Sequence, residues 1–311
     1  MTKKQKVLVV VGPTSSGKSA LAVELARKFN GEVISADSRQ VYRGLNIGTG
    51  KITKREMRGI RHHLLDEVLP HRIFTAHDFI EKAPKVIEGI SGRGKLPIIA
   101  GGTGFYIDAL LGRVAIPNVP PDQKLRALLE KKAVPELFKM LKRRDLRRAK
   151  TIEPHNKRRL IRALEIVDSL GKVPTHGDFV NPKNLDLRNP NIDPLWIGLT
   201  SQSKVRKKRI RARLMARMRR GMVREAERLH KAGLSYRRME QLGLEYRALA
   251  RLLQGRITRE QMVDELNRDI RRYARRQLAY WKRNKNIKWF APEQRKKISK
   301  IVENWLRWRA H

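Results

Sequence analysis

The chain of 311 residues contains no cysteine. Disulfides, thiolate zinc sites and cysteine nucleophiles are excluded together, and such a composition suits a reducing compartment. Long apolar runs are missing as well: none approaches the roughly 18 residues that a membrane-spanning helix needs. The opening Met1-Thr-Lys-Lys-Gln-Lys6 leads directly into an apolar strand pattern, so no secretory leader is expected there. A cytoplasmic location is the resulting expectation. There is no internal repeat at solenoid or propeller spacing.

Acidic residues are scarce too, 30 Asp and Glu against 71 Lys and Arg, for a net charge of +41. The imbalance is greatest in residues 203–283, which hold 26 basic and 8 acidic residues. That segment has helical periodicity, so the excess belongs to a folded surface and not to a tail. A basic surface of this kind suits a polyphosphate partner, with affinity driven by counterion release. A proteome that favours Lys and Arg everywhere is the competing cause. Apolar content of 40 % is enough for a packed core and excludes global disorder.

Against these shortages stands one strong motif. Gly12-Pro13-Thr14-Ser15-Ser16-Gly17-Lys18-Ser19 comes directly after the apolar run Val7–Val11 and fits the P-loop pattern. Its glycines let the backbone curl so that N–H groups face phosphate oxygens. Lys18 adds a positive charge at the terminal phosphate, and the Ser19 hydroxyl is placed to hold Mg²⁺. The next residues read as a helix whose positive N-terminus faces the same anion. The motif implies a bound di- or triphosphate but leaves the reaction open, since kinases, ATPases, GTPases and some transferases share it. A further absence narrows the choice. The later strand Leu96–Ala100 runs into Gly101-Gly-Thr-Gly104 without the Walker-B carboxylate of many motor and switch enzymes. The one acid at the end of an early strand is Asp37.

Strand and helix patterns alternate through the first third: strands at Val7–Val11, Glu32–Ala36 and Leu96–Ala100, helices at Lys18–Phe29, Ala76–Ser91 and Phe105–Leu111. Such alternation predicts an α/β fold, a P-loop parallel sheet core with helices on both faces. Pro117 to Pro121 breaks the pattern. Helical periodicity at Asp122–Lys132, Val134–Lys142 and Lys157–Leu170, then a polar loop from Gly171 to Pro194, precede a returning core strand, Leu195–Leu199. The predicted domains are therefore a core of residues 1–116 and 195–311 and a small helical insertion of 117–194. The C-terminal part reads as helices over Ser203–Ala232 (capped by Ser201 or Ser203), Met239–Leu253, Thr258–Arg283 and Pro292–Trp308, with an edge strand at Lys288–Phe290. Thr258 and Gln261 have capping-box spacing.

Several segments are informative together: the P-loop, Ser35-Ala-Asp-Ser-Arg-Gln-Val-Tyr42, Asn46-Ile-Gly-Thr-Gly-Lys51, His62-His-Leu-Leu-Asp66 and Gly101-Gly-Thr-Gly-Phe-Tyr106. Lys157-Arg-Arg-Leu-Ile-Arg-Ala-Leu-Glu165 and Arg272-Tyr-Ala-Arg-Arg-Gln277, with Trp281 downstream, complete the set. In order and over nearly the whole chain, this set resembles the tRNA dimethylallyltransferase family, also called tRNA isopentenyl transferases. The resemblance implies transfer of a dimethylallyl group from its diphosphate to N6 of the adenosine 3′-adjacent to the anticodon. It implies Asp37 as general base, Thr103 as a group positioning the reacting amine, and Mg²⁺ with the P-loop residues and Arg213 at the diphosphate. It further implies tRNA contacts from Asp37, Ser38, Arg39, Gln40, Thr103, Arg126, Arg158, Arg159, Leu160, Ile161 and Arg162. The partners so implied are the tRNA anticodon stem-loop and dimethylallyl diphosphate, with no membrane, for a monomeric enzyme.

Three features depart from the family pattern. Gly50 stands where alanine is common, Gly243-Leu-Glu-Tyr-Arg247 differs from the more usual Gly-Tyr ending, and the C-terminal zinc finger of eukaryotic members is missing, as in bacterial-type enzymes.

Each singled-out residue also has a plainer reading. Asp37 has the surroundings of a helix N-cap, and Thr103 those of a turn residue. His62 and His63 lack metal-ligand spacing and read as structural. Arg158, Arg159 and Arg162 fit a solvated helix face, and Trp281, Trp289, Trp305 and Trp308 fit packing positions. Competing functions are a P-loop small-molecule or nucleotide kinase, an isopentenyl transferase acting on free adenine nucleotides, and a non-catalytic RNA-binding module.

Overall fold

A computed structural model describes residues 4–114, 116–174 and 192–307. Those residues form two compact units, within Met1–Leu111 plus Asn189–His311 and within Gly112–Arg188. In the first, six strands make one sheet: β1 (Gln5–Val11), β2 (Gly31–Ala36), β3 (His62–His63), β4 (Leu96–Gly101), β5 (Ile192–Leu199) and β6 (Lys288–Phe290). The spatial order is β3-β2-β4-β1-β5-β6, and every pairing is parallel. Side chains alternate between two cores. Val7, Val9, Val11, Ile34 and Ile99 face one, while Leu8, Val10, Val33, Ile98 and Ile197 face the other. Apolar residues on both faces of each central strand explain why the strands read as continuous hydrophobic runs.

Helices cover both faces. The first core is closed by α3 (Ala76–Gly92), α4 (Gly104–Leu110) and the C-terminal helices. The second is closed by α1 (Lys18–Lys28) and α14 (Arg295–Arg307). Register brings the strand ends together. Val10 pairs with Ala100 and Ala36 with Gly101, so the chain leaves β1, β2 and β4 at one edge of the sheet. That carboxyl edge is where open α/β sheets bind ligands.

The structure divides two expected helices. Ser203–Ala232 is α9 (Ser203–Arg219) and α10 (Met222–Lys231), separated at Gly221 with φ of 93°. Met239–Leu253 lies within α11 (Tyr236–Gln241) and α12 (Leu244–Leu253), separated at Gly243 with φ of 107°. In each case apolar periodicity continues across the break while a left-handed glycine turns the axis. Neither Ser201 nor Ser203 caps α9; Gln202 occupies the N-cap position without a side-chain bond, and Arg206 donates to the Ser201 carbonyl at 2.6 Å. The capping box of α13 (Arg259–Lys282) forms as expected between Thr258 and Gln261. The short elements α2 (Lys54–Met57), β3 and α7 (Leu146–Thr151) are too brief to have a readable period.

β5 begins at Ile192, inside the expected polar loop, and includes Pro194. Pro194 is opposite Val7 of β1, whereas β6 pairs only with Ile197 to Leu199. Its missing N–H therefore falls where β5 has a neighbour on one side only. The loop expected at Gly171 to Pro194 lies mostly outside the described residues, as does Trp308. No helix among the described residues is long and apolar enough to cross a membrane.

The second unit packs α5 (Gln123–Glu130), α6 (Val134–Arg144), α7 and α8 (Lys157–Leu170) around their own core. Leu160 and Ile161, expected among the tRNA-contacting residues, are 0 % and 4 % exposed within that core. The apolar side chains at those helical positions are packed in the core of this unit. Leu160→Ala should destabilise this unit by about 2–5 kcal/mol through lost contacts and the cavity left behind, measured by urea denaturation.

Arg126 and Arg162 are half-buried and already partnered within the unit. Both pair with buried Glu165, Arg126 through two 2.8 Å hydrogen bonds, and Arg162 also donates to the Val119 carbonyl at 2.8 Å. Burial would raise the Glu165 pKa, but these two guanidiniums and the Asp122 amide bring it below the ordinary carboxylate value. Arg158 and Arg159 remain exposed; Arg159 pairs with Glu153 at 3.2 Å.

Candidate active site

A cavity of about 490 Å³ opens at the carboxyl edge of the sheet. Its wall includes Thr14, Lys18 and Ser19 from the P-loop, Asp37 to Gln40 from the turn after β2, and Arg213 from α9. The far wall is α13, through Ile270, Tyr273, Arg276 and Gln277. The glycine-rich loop and Asp37 thus share one chamber.

The P-loop is shaped for an anion. Gly17, the N-cap of α1, has φ of 90°, with no side-chain cap and no acidic residue in the first turn. Ser15 also has positive φ, 61°. Helix-terminal amides left without protein acceptors are available to a phosphate. Gly12 cannot carry a side chain, because a Cβ there would lie 2.4 Å from the Leu199 carbonyl oxygen. Inside the curl, the Ser16 hydroxyl is buried without a hydrogen-bond partner. Lys18 Nζ donates to the Pro13 carbonyl at 3.2 Å.

Lys18 keeps partial solvent exposure, yet its pKa is lowered to about 8. Burial among protein atoms is the main cause; Asp37 opposes the change and Arg213 adds to it. An anion beside the ammonium would oppose that lowering.

No helix follows Asp37, so its carboxylate caps a turn and not a helix. Its Oδ1 accepts the Arg39 and Gln40 amides at 2.9 and 3.3 Å, which closes the turn after β2. Oδ2 has only a 3.5 Å contact with Gln40 Nε2. One oxygen therefore fixes the carboxylate, and the other can accept from a ligand.

Thr103 is not a cavity-lining residue in this state. Its amide donates to the Ala36 carbonyl at 3.1 Å, and its hydroxyl oxygen accepts the Ser38 amide at 3.0 Å. The hydroxyl thereby joins the turns after β2 and β4. Glycines on either side leave no room for side chains: Cβ atoms at Gly101 and Gly104 would lie 2.1 Å from the Ala36 carbonyl oxygen and 2.2 Å from the Tyr280 ring.

The segment Asn46–Lys51 is anchored by Arg213 and by two residues that the sequence did not single out, Glu225 and Arg217. Buried Glu225, at the start of α10, accepts the Asn46, Ile47 and Gly48 amides at 3.0, 2.8 and 2.8 Å and the Tyr246 hydroxyl at 2.7 Å. Arg217 donates to the Gly48 carbonyl at 2.6 Å and to Glu245 at 3.0 Å. Arg213, one turn earlier on α9, donates to the Gly50 carbonyl at 2.7 Å. Gly50 has φ of 60°, and a Cβ there would lie 2.8 Å from the Arg213 guanidinium. Glycine at this position lets Arg213 approach. The available signal for Glu225 was its place as one of two glutamates, with Glu227, between arginines at a helix start. Glu225→Gln should cost about 2–3 kcal/mol, because its amide nitrogen cannot accept the amides that the carboxylate now satisfies. A drop in the urea midpoint with unchanged slope would show it.

The histidines serve β3. His63 Nε2 is 2.7 Å from buried Glu32, which also pairs with Arg93 and Lys95. Burial would raise the Glu32 pKa, but hydrogen bonds from Lys95, His63 and Arg93 prevail and bring it to about 2. His62 Nδ1 contacts the Ile60 carbonyl at 2.9 Å, and the residue lines the cavity floor. No cluster of three or more acidic, histidine or cysteine side chains suited to a metal occurs among the described residues. Trp281 is buried against Trp196, in keeping with packing.

Two α13 residues complete the chamber. Tyr273 faces it, with its hydroxyl pKa pushed well up, mainly by burial and secondly by Asp37. Gln277 reaches both the P-loop and the turn after β4. The sequence offered both within Arg272-Tyr-Ala-Arg-Arg-Gln277, where the arginines dominate the signal.

The family profile described as IPP transferase matches residues 40–284. The tRNA dimethylallyltransferase 2 of Treponema denticola is 42 % identical over 91 % of this chain and 93 % of its own length. The crystal structure of the full-length tRNA isopentenylpyrophosphate transferase of Bacillus halodurans superposes with a TM-score of 0.72 at 35 % identity, covering 97 % of both chains. A eukaryotic dimethylallyltransferase crystallised acting on tRNA superposes with a TM-score of 0.81 at 25 % identity, over 97 % of this chain and 79 % of its own. By sequence and by fold, this chain belongs to the tRNA dimethylallyltransferase family.

Proposed function

We propose that this enzyme transfers the dimethylallyl group of dimethylallyl diphosphate to N6 of the adenosine 3′-adjacent to the anticodon of tRNA, releasing diphosphate. The observation that carries this reading is the shared chamber of Lys18 and Asp37. The allylic C–O bond breaks as the C–N bond forms, and the bond electrons leave with the diphosphate. Negative charge grows there, where the α1 amides, Lys18 and Arg213 would stabilise it. The adenine amine is a weak nucleophile because its lone pair is delocalised. Asp37 orients that amine and takes its proton as the new bond forms.

Mg²⁺ fits this donor set. Ser19 supplies a hydroxyl at the cavity, and no dedicated carboxylate cage is present among the described residues. Mg²⁺ is commonly held by few protein groups together with phosphate oxygens and water. When bound, it would neutralise charge on the leaving diphosphate.

The charge distribution supports a nucleic-acid acceptor. A groove between α9 and α13 is lined by Arg206, Lys207, Arg268, Arg271, Arg272 and Arg275 without a carboxylate. A mononucleotide acceptor needs no such surface, whereas an RNA backbone does. Exposed Arg158 and Arg159 offer further phosphate contacts. The target base would have to leave its stack to reach the chamber.

Mass spectrometry of tRNA nucleosides after incubation with dimethylallyl diphosphate tests the reading. The expected product is adenosine carrying one dimethylallyl group in place of an N6 hydrogen. ADP release from ATP with no such product would instead establish a kinase.

A further inference from the structure

We propose that Gln277 is a positioning residue that clamps the donor-binding P-loop to the acceptor-side turn after β4, so that one side chain sets the spacing between the leaving diphosphate and the reacting amine. This role rests on the dimethylallyl transfer proposed for the chamber.

The geometry is specific to an amide. Gln277 Oε1 accepts the Thr14 amide at 2.8 Å, and its Nε2 donates to the Gly102 carbonyl at 2.9 Å. The residue is 6 % exposed, so both bonds are shielded from competing water. A Cβ at position 102 would sit 2.2 Å from Gln277 Nε2, so any side chain there would displace this amide. Gly102 is therefore the socket into which this amide fits. The next residue, Thr103, ties the same turn to Ser38 beside Asp37. A continuous chain of bonds thus runs from the P-loop through Gln277 and Thr103 to the Asp37 turn.

Two consequences distinguish this clamp from ordinary packing. First, the Thr14 amide is committed to Gln277, which leaves the Thr14 hydroxyl and the later amides of the loop to face the diphosphate. Second, the clamp touches the charge that binds the anion. A Cβ at Gly102 would be 3.8 Å from Lys18 Nζ, so that ammonium lies no more than about 6 Å from the Gln277 amide. A neutral side chain satisfies one donor and one acceptor without offering Lys18 an internal counterion. Glutamate, of the same size, would repel the Gly102 carbonyl and compete with the diphosphate for Lys18.

The test uses the full-length enzyme with Gln277→Ala and Gln277→Glu. Amide hydrogen exchange at Thr14 should accelerate at least tenfold in Gln277→Ala relative to neighbouring core amides. With tRNA affinity unchanged, kcat should fall at least tenfold in both variants. In Gln277→Glu, inorganic diphosphate should bind at least tenfold more weakly at pH 7, while the alkaline limit of that binding moves to higher pH. Unchanged Thr14 exchange, or kcat within threefold of the parent, would overturn the proposal. So would losses matched by a general fall in melting temperature and tRNA affinity with the alkaline limit unmoved, which would make Gln277 merely structural. Exchange and diphosphate binding require no turnover, so they judge the clamp even if the parent enzyme fails to modify tRNA, a failure that would sink the functional reading instead.

Discussion

Asp37→Asn should lower the rate of dimethylallyl transfer by about 10²–10⁴-fold, the range expected when a positioned general base is lost. The substitution isolates chemistry from structure. Asparagine keeps an oxygen where Oδ1 accepts the Arg39 and Gln40 amides, so the turn after β2 persists. What changes is the other position, where a carboxylate oxygen open to ligand becomes an NH₂ donor that cannot take a proton. tRNA affinity should change little, since one carboxylate is removed from a surface dominated by cations. Asp37→Ala should show the same loss of rate with an added stability cost of about 0.5–2 kcal/mol for the missing cap. Asp37 also favours the charged form of Lys18. Asp37→Asn should therefore shift the alkaline limit of diphosphate binding to lower pH, opposite in direction to Gln277→Glu. Single-turnover transfer within threefold of the parent rate would remove Asp37 from the proton-transfer step.

How legible each feature is in the sequence depends on the range of the interactions that make it. The P-loop was legible because its function depends on residues adjacent in sequence. The sheet was legible because strands with two buried faces leave apolar runs bounded by glycines. Asp37 could be placed as well, since parallel strands of an open sheet all end at the ligand edge, although β4 lies between its strand and the P-loop strand. The breaks at Gly221 and Gly243 were harder to read because a left-handed residue reorients a helix without interrupting its apolar period. In the insertion, charge alone did not reveal that Arg126 of α5 and Arg162 of α8 share buried Glu165 as a partner while staying half-buried. Leu160 and Ile161 belong to the segment that carries the family resemblance and still pack as core. Gln277 and Glu225 illustrate the larger limit. Each acts by satisfying backbone groups more than 170 residues away, and nothing local in the chain encodes those partners.

Lys18→Met should reduce kcat/KM for dimethylallyl diphosphate by about 10²–10³-fold, the scale seen when a preorganised donor to developing charge is removed. Methionine retains the apolar stem, so a small change in melting temperature should accompany the large kinetic loss. The pH dependence offers an independent check. With a free-enzyme pKa of about 8, Lys18 is charged at neutral pH and loses its proton as pH rises. Diphosphate binds the charged form, so affinity is complete below pH 8 and declines above it, approaching about tenfold per pH unit. A bound anion raises the lysine pKa, which makes binding of inorganic diphosphate take up protons in this alkaline range; calorimetry in buffers of different ionisation enthalpy would register the uptake. Lys18→Arg keeps a charge that does not titrate there. Its diphosphate binding should consequently be weaker, through altered geometry, yet flat across the pH interval where the parent declines. A parent profile that is also flat through pH 9 would mean that Lys18 is not the titrating group at the anion site.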